Sequence, residues 1–133
     1  LSQSNDNPVY YIQYAHARTC SVMRKLVEQG WEWQAQSALQ QLDELQEEHE
    51  KSLLRRLDRY PEVLAAAAVN NEPHTIATYL RDLAAEFHTW YNGSKMLVED
   101  RNLRDARVAL SQAVGQVIAN GLGLLGVSAP EVM

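Results

Sequence analysis

Apolar residues recur at intervals of three and four along most of the chain, which is the period of one face of an α-helix. The first such segment follows Pro8, a residue that suits the first turn of a helix, and it stops at Gly30. Its inward positions are Ile12, Ala15, Thr19, Val22 and Leu26. Alternating runs bounded by hairpin turns are nearly absent, so the pattern predicts helices and not strands.

The middle of the chain predicts two further helices. After an aromatic connector at Trp31 and Trp33, a leucine-rich segment runs from about Ala35 to Arg59, and the polar stretch 46–51 is where it could break. Its expected inward positions are Leu39, Leu42, Leu45, Leu53 and Leu57. Pro61 begins a shorter apolar helix that extends to Val69, and the pair Asn70–Asn71 predicts a turn.

The last two predicted helices are long. One begins at Pro73 and weakens at Asn92–Gly93, with Ile76, Leu80, Leu83, Phe87 and Trp90 facing inward. The other ends near Gly126, before Pro130, and its inward positions are Leu103, Leu110, Val114, Val117 and Leu124. We therefore expect an all-α fold, a single helical bundle of about five helices. Ile12, Val22, Leu80, Leu83, Phe87, Val114 and Val117 should share one core.

Composition fits one globular domain, with 133 residues, 46% hydrophobic and 22% charged. No run approaches the roughly 20 apolar residues of a membrane span, and the start lacks a signal-peptide pattern. The single cysteine, Cys20, cannot form an internal disulfide and is expected to be a small buried residue. We expect a cytoplasmic protein with no membrane partner, in which residues 1–7 are a loose lead-in and 127–133 a C-terminal tail.

The net charge of −5 weighs against nucleic-acid binding, because phosphate binders usually present a basic face. Local distribution matters more than the sum. One cation group is Arg18, Arg24 and Lys25, and another is Arg101, Arg104 and Arg107. Either could form a basic patch. The acidic run 44–50 is expected to be a solvated helix face.

A stripe on the first helix carries the clearest candidate chemistry. Tyr11, Tyr14, Arg18 and Lys25 follow at spacings of 3, 4 and 7, so they lie side by side on the helix. Aromatic faces stack unpaired bases and cations meet phosphates. The same spacing also suits boundary tyrosines with buried rings and solvated hydroxyls, and spacing alone favours that interpretation.

The segment 11–18, Tyr-Ile-Gln-Tyr-Ala-His-Ala-Arg, resembles the signature that begins the anticodon-binding (DALR) domain of bacterial-type arginyl-tRNA synthetases. Three more stretches share the resemblance, namely 73–92, 103–113 and the tail 128–133, Ser-Ala-Pro-Glu-Val-Met. It covers nearly all of 7–133. Two positions depart from the family: Val132 and Lys95 stand where arginine is usual.

This resemblance implies which residues bind RNA: Tyr11, Tyr14, Arg18, Tyr91, Asn92, Lys95 and Met133. Trp90 continues the apolar spacing and is assigned to the core, whereas Tyr91 is assigned to the surface. Tyr11, Tyr14 and Tyr91 should converge near Met133, with their ring faces partly exposed. His16 should form a hydrogen bond within the bundle.

The resemblance also implies a function. The parent enzyme would join arginine to its tRNA with ATP, and this chain, residues 1–133, would recognise the anticodon loop of arginine tRNA beside the rest of the parent synthetase. Neither class I signature motif occurs here, so no catalytic residue is expected, and ATP and magnesium belong to the missing catalytic domain. His16, His49, His74 and His88 lack metal-ligand spacing, so no metal site is expected. The alternative is a helical protein-interaction module.

Overall fold

The computed structural model describes residues 7–133, which form helices and no strand. The all-α prediction is confirmed. The elements are α1 (Pro8–Glu28), α2 (Ala35–Leu39), a 3-10 turn (Leu42–Glu44), α3 (Glu48–Asp58), α4 (Tyr60–Asn70), α5 (His74–Gly93) and α6 (Arg101–Leu124). Five of these helices have 11 or more residues. Of the predicted lead-in, residues 1–6 lie outside the described residues, and Asn7 caps α1 through its side chain.

Helices α1, α5 and α6 pack together around the main core. The predicted core residues Ile12, Val22, Leu80, Leu83, Phe87 and Val114 are all buried, and Val117 packs at the edge of the core. Helices α1 and α6 are close together at Gly115, where an added Cβ would overlap the Thr19 hydroxyl. A larger residue at position 115 would therefore push the two helices apart.

The leucine-rich segment does not form one helix. Helix α2 ends at Leu39, and α3 begins only at Glu48, where Glu47 and Glu50 form a reciprocal capping box. Between them Leu45 is drawn into the core, so the chain turns inward there. As a result Leu39 is 60% exposed, and its predicted inward position is wrong.

Leu124 is also 60% exposed, contrary to prediction. Helix α6 presents Leu122 to the core instead, and that residue is 1% exposed. Because an α-helix turns about 100° per residue, a side chain two positions away points to roughly the opposite side. The apolar spacing of this helix was therefore assigned to the wrong residue in its last turn.

The acidic run 44–50 is not wholly solvated, because the Glu50 side chain is fully buried. One oxygen of its carboxylate accepts hydrogen bonds from Arg107 Nε at 2.7 Å and from Trp90 Nε1 at 3.1 Å. Arg107 also donates to the Lys95 carbonyl at 2.7 Å. The charge pair thus links α3, α5, α6 and the loop that follows α5.

The predicted cation group on α6 does not form a basic surface. Arg104 and Arg107 are 6% and 7% exposed, since α6 lies at the centre of the bundle. The Arg104 guanidinium stacks 3.9 Å from the Trp31 ring centroid and donates to two backbone carbonyls. Only Arg101 of the three is exposed, and it lies 3.6 Å from Asp105.

Helix α6 ends at a left-handed residue that turns the chain back. Gly126 has φ +73°, a conformation that favours glycine. The Val127 amide donates to the Leu122 carbonyl at 2.8 Å, and the Gly126 amide donates to the Gly123 carbonyl at 3.1 Å. The tail 127–133 therefore leaves α6 in a defined direction. Within residues 7–133, no helix combines the length and apolar character that crossing a bilayer requires.

Candidate nucleic-acid interface

The tyrosine and cation stripe of α1 meets the end of α5. The guanidinium carbon of Arg18 lies 4.5 Å from the ring centroid of Tyr14 and 4.5 Å from that of Tyr91. The cation thus contacts one ring from each helix. Nearby, the Lys25 ammonium lies 3.5 Å from the Tyr91 hydroxyl. Each cation–π contact is worth about 0.5–1 kcal/mol at an exposed site, so together they orient Arg18 without neutralising it.

A buried histidine lies against the same stripe. His88, one turn before Tyr91 on α5, is 6% exposed, and its ring centroid is 4.6 Å from that of Tyr11 and 5.4 Å from that of Tyr14. Its Nδ1 is 2.9 Å from Arg18 Nη1. Burial lowers the pKa of His88, and the Arg18 charge lowers it further, while a hydrogen bond to the Tyr11 carbonyl opposes both effects.

Three side chains of α1 hold the C-terminal tail. Gln13 Nε2 donates to the Ser128 carbonyl at 2.9 Å, His16 Nδ1 lies 2.9 Å from the Pro130 carbonyl, and Arg24 Nη1 donates to the Glu131 carbonyl at 3.2 Å. These spacings of 3 and 8 residues place all three on one helix face. The tail thereby returns to α1, and Met133 reaches the side of Arg18.

The prediction that His16 bonds within the bundle is confirmed, whereas the roles of Gln13 and Arg24 were missed. Their shared helix face was visible in the sequence. Their partners, however, are backbone carbonyls, which every residue has, so the residue types of the tail could not indicate these hydrogen bonds. Cys20 was expected to be buried, but it is only half-buried. Its Sγ lies 4.0 Å from His16 Nδ1.

Two adjoining pockets flank Tyr91. The first, of about 250 Å³, is lined by Tyr14, Ala17, Arg18, Ser21, Arg24, Lys25, Tyr91 and Met133. The second, of about 280 Å³, is lined by Val22, Lys25, Gln29, Tyr91, Ser94, Lys95, Met96 and Leu97. Lys25 and Tyr91 belong to both pockets. Among the described residues that line them there are four cationic side chains, Arg18, Arg24, Lys25 and Lys95, and no Asp or Glu.

Comparison with known proteins shows which family the chain resembles. Residues 12–133 match the family described as the DALR anticodon binding domain. The chain belongs to this family. Arginine–tRNA ligases from Coxiella burnetii and Thioalkalivibrio sulfidiphilus are each 57% identical to it over 132 residues, which is 99% of this chain and 22% of each relative. The arginyl-tRNA synthetase structure of Thermus thermophilus is 36% identical with a TM-score of 0.81, over 98% of this chain and 22% of that one.

This DALR domain brings most of the predicted RNA-binding residues together. Tyr14, Arg18, Tyr91 and Met133 line the first pocket, and Lys95 lines the second. Trp90 is fully buried, as predicted from the apolar spacing. Tyr91 was assigned to the surface, but it is half-buried and packs against the core.

Two of the predicted residues lie outside both pockets. Tyr11 is half-buried, and its ring packs on His88 at the edge of the core. Asn92 is exposed near the C-terminal end of α5. The roles of all seven residues in RNA binding stay predictions. Within residues 7–133 the DALR domain has no group of three His, Cys, Asp or Glu side chains placed to hold a metal ion.

Proposed function

We propose that this DALR domain binds the anticodon loop of arginine tRNA as part of a longer arginine–tRNA ligase. The chain spans 22% of the length of the relatives it matches, and in the proposed parent enzyme the remainder would supply arginine activation with ATP and magnesium. Such an enzyme would act in the cytoplasm. The observation that carries the proposal is the pair of pockets flanking Tyr91, lined by four cations in a chain of net charge −5.

The chemistry of these pockets suits an opened single-stranded loop. Cations along a groove attract phosphates, and exposed aromatic faces stack bases regardless of their identity. Tyr91 lines both pockets, so a base entering either one would meet this residue. Discrimination between anticodons would then depend on polar groups at the rim, for which Asn92 and the backbone near Met133 are candidates.

The test is binding of a synthetic anticodon stem-loop of arginine tRNA to the 133-residue chain. Base stacking is worth about 1–3 kcal/mol, so Tyr91→Ala should weaken binding by that amount. Binding that is undetectable at low salt, or unaffected by Tyr91→Ala, would reject the proposal.

A matched pair of cation variants tests the electrostatic part. Lys95 lines the second pocket, whereas Arg101 is exposed on α6 beside Asp105. Lys95→Ala should reduce the slope of log affinity against log salt concentration by about one, which corresponds to one phosphate contact. Arg101→Ala should leave this slope unchanged. Equal effects of the two variants would indicate diffuse attraction and no defined site.

The protein-interaction module is the competing function, and the same surface tests it. An interaction groove for an apolar helix would be insensitive to salt and would not need the four cations. If the stem-loop fails to bind while an amphipathic helical peptide binds at these pockets, that function replaces the one proposed.

A further inference from the structure

Among residues 7–133, His88 is the one buried titratable side chain that contacts the Tyr14–Arg18–Tyr91 cluster directly. It lies three residues before Tyr91 on α5 and contacts Arg18, which lines the first pocket. It was not among the residues predicted to bind RNA, and at 6% exposure it has little surface with which to touch a ligand. Its role must therefore be exerted through its neighbours.

The hydrogen-bond partners of His88 determine its protonation state. A guanidinium group has donors only, so the contact of 2.9 Å with Arg18 Nη1 requires Nδ1 to be an acceptor. A carbonyl oxygen only accepts, so the contact of 3.2 Å with Tyr11 O requires Nε2 to carry a proton. Both bonds form only with the neutral imidazole that is protonated on Nε2.

Resting on the function proposed above, we propose that His88 is a positioning residue of the RNA interface, which holds the Arg18 guanidinium against the Tyr14 and Tyr91 rings. The cation is then ordered before RNA arrives. Because ordering a long side chain costs conformational entropy, a preordered guanidinium increases affinity without any contact between His88 and RNA. Protonation of His88 removes the acceptor and places a second positive charge beside Arg18.

Among the described residues, the Tyr11 carbonyl is the one hydrogen-bond partner of His88 that favours its charged form. From α1, the titratable and charged groups that face it are Tyr11, Tyr14 and Arg18. From α5 itself, Phe87 contacts the ring. In the part of the chain that the structure describes, no carboxylate forms a hydrogen bond or ion pair with it. The lowered pKa of His88 agrees with this arrangement.

The first test is stem-loop affinity between pH 8 and pH 5 at constant ionic strength. General electrostatics predicts tighter binding at lower pH, because the net charge of a protein becomes more positive as pH falls. The proposal predicts the opposite. Affinity should fall about tenfold as His88 protonates below pH 6.5, because protonation removes the charge-assisted hydrogen bond between His88 and Arg18. Circular dichroism at each pH verifies that the helices persist. Affinity that rises or stays level as pH falls would overturn the proposal.

Variants separate positioning from a merely structural role. His88→Phe should bind about tenfold more weakly than wild type at pH 8 and should lose the acid-induced fall. His74→Phe is the control, because His74 is exposed and lines neither pocket, and it should retain the wild-type profile. In an Arg18→Ala background, His88→Phe should change affinity less than twofold. An equal loss in both backgrounds would mean that His88 does not act through Arg18.

A readout without RNA keeps this inference distinct from the proposed function. Nitrogen NMR of the free chain at pH 8 should show His88 protonated on Nε2 and not on Nδ1. An ordered Arg18 guanidinium signal should be present and should disappear in His88→Phe. A proton on Nδ1, or the same Arg18 mobility in both proteins, would overturn the positioning role. If wild type shows these signals yet binds no stem-loop, the RNA function fails while the arrangement stands.

Discussion

Arg18 and Arg107 are both held by hydrogen bonds and neighbouring side chains, but in regions of opposite character. Arg107 is 7% exposed and pairs with the buried Glu50 at 2.7 Å and with Glu47 at 3.4 Å. Arg18 is half-buried, and its partners are two aromatic rings and a neutral histidine. The charge of Arg107 is therefore neutralised within the fold, whereas that of Arg18 is oriented and left available. The compensated charge of Arg107 supports the fold, whereas the uncompensated charge of Arg18 is the one that we propose for RNA recognition.

The largest expected effect on stability concerns the buried ion pair of Glu50 and Arg107. Glu50→Ala would leave the Arg107 charge buried without its closest carboxylate and would also remove the acceptor of Trp90 Nε1. We expect the free energy of unfolding to fall by about 3–5 kcal/mol, measured by urea denaturation. Glu48→Ala, at an exposed position in the first turn of α3, is the control and should cost less than about 1 kcal/mol. If Glu50→Ala lowers the free energy of unfolding by no more than Glu48→Ala does, Glu50 is not needed for stability.

Alkaline pH should lower the free energy of unfolding, just as acidic pH is expected to lower the affinity for the stem-loop. Burial is the main cause that raises the pKa of Tyr79 to about 12, and its hydroxyl donates to the Arg56 carbonyl. Because the folded pKa exceeds the usual tyrosine pKa of about 10, this stability is complete below pH 10 and is lost as pH rises toward 12. The loss should reach about 2–3 kcal/mol in urea unfolding. Tyr79→Phe should flatten the decline, and an unchanged decline would assign it to other groups.

Arg18→Ala tests the other half of the comparison between the two arginines. Because its two ring contacts are worth about 0.5–1 kcal/mol each, we expect the free energy of unfolding to fall by about 1–2 kcal/mol. Affinity for the stem-loop should fall about tenfold, because the cation would no longer line the first pocket. A loss of stability comparable to that of Glu50→Ala, as seen by urea denaturation, would abolish the distinction between the two arginines.

The smallest expected effect concerns the tail. Truncation after Ala129 removes the carbonyls of Pro130 and Glu131, which are held by His16 and Arg24, and it removes Met133 from the first pocket. Stem-loop affinity should fall several-fold, about 1 kcal/mol, because ordered contacts at the rim are lost. Helix content by circular dichroism should be unchanged, since α6 already ends at Leu124. A loss of helix on truncation would show that the tail is part of the core.

The apolar period alone indicated helices α1, α4, α5 and α6 and most of the core. Ile76, Leu80 and Phe87 all follow the spacing and are all buried, because the hydrophobic effect acts on any apolar face that recurs with the helical period. Proline and glycine at the helix boundaries, such as Pro8 and Gly126, determined where helices begin and end. The motifs of 11–18 and 128–133 indicated the family, which residues 12–133 confirm.

Only the tertiary structure decided which charged groups are buried and which face a pocket. Glu50 lies in an acidic run that looks solvated, and its burial depends on Arg107, 57 positions along the chain. His88 and Arg18 meet across 70 positions, and the tail meets α1 across more than 100. Polar burial requires a specific partner at hydrogen-bond distance, and helical periodicity says nothing about how two distant helices are placed side by side.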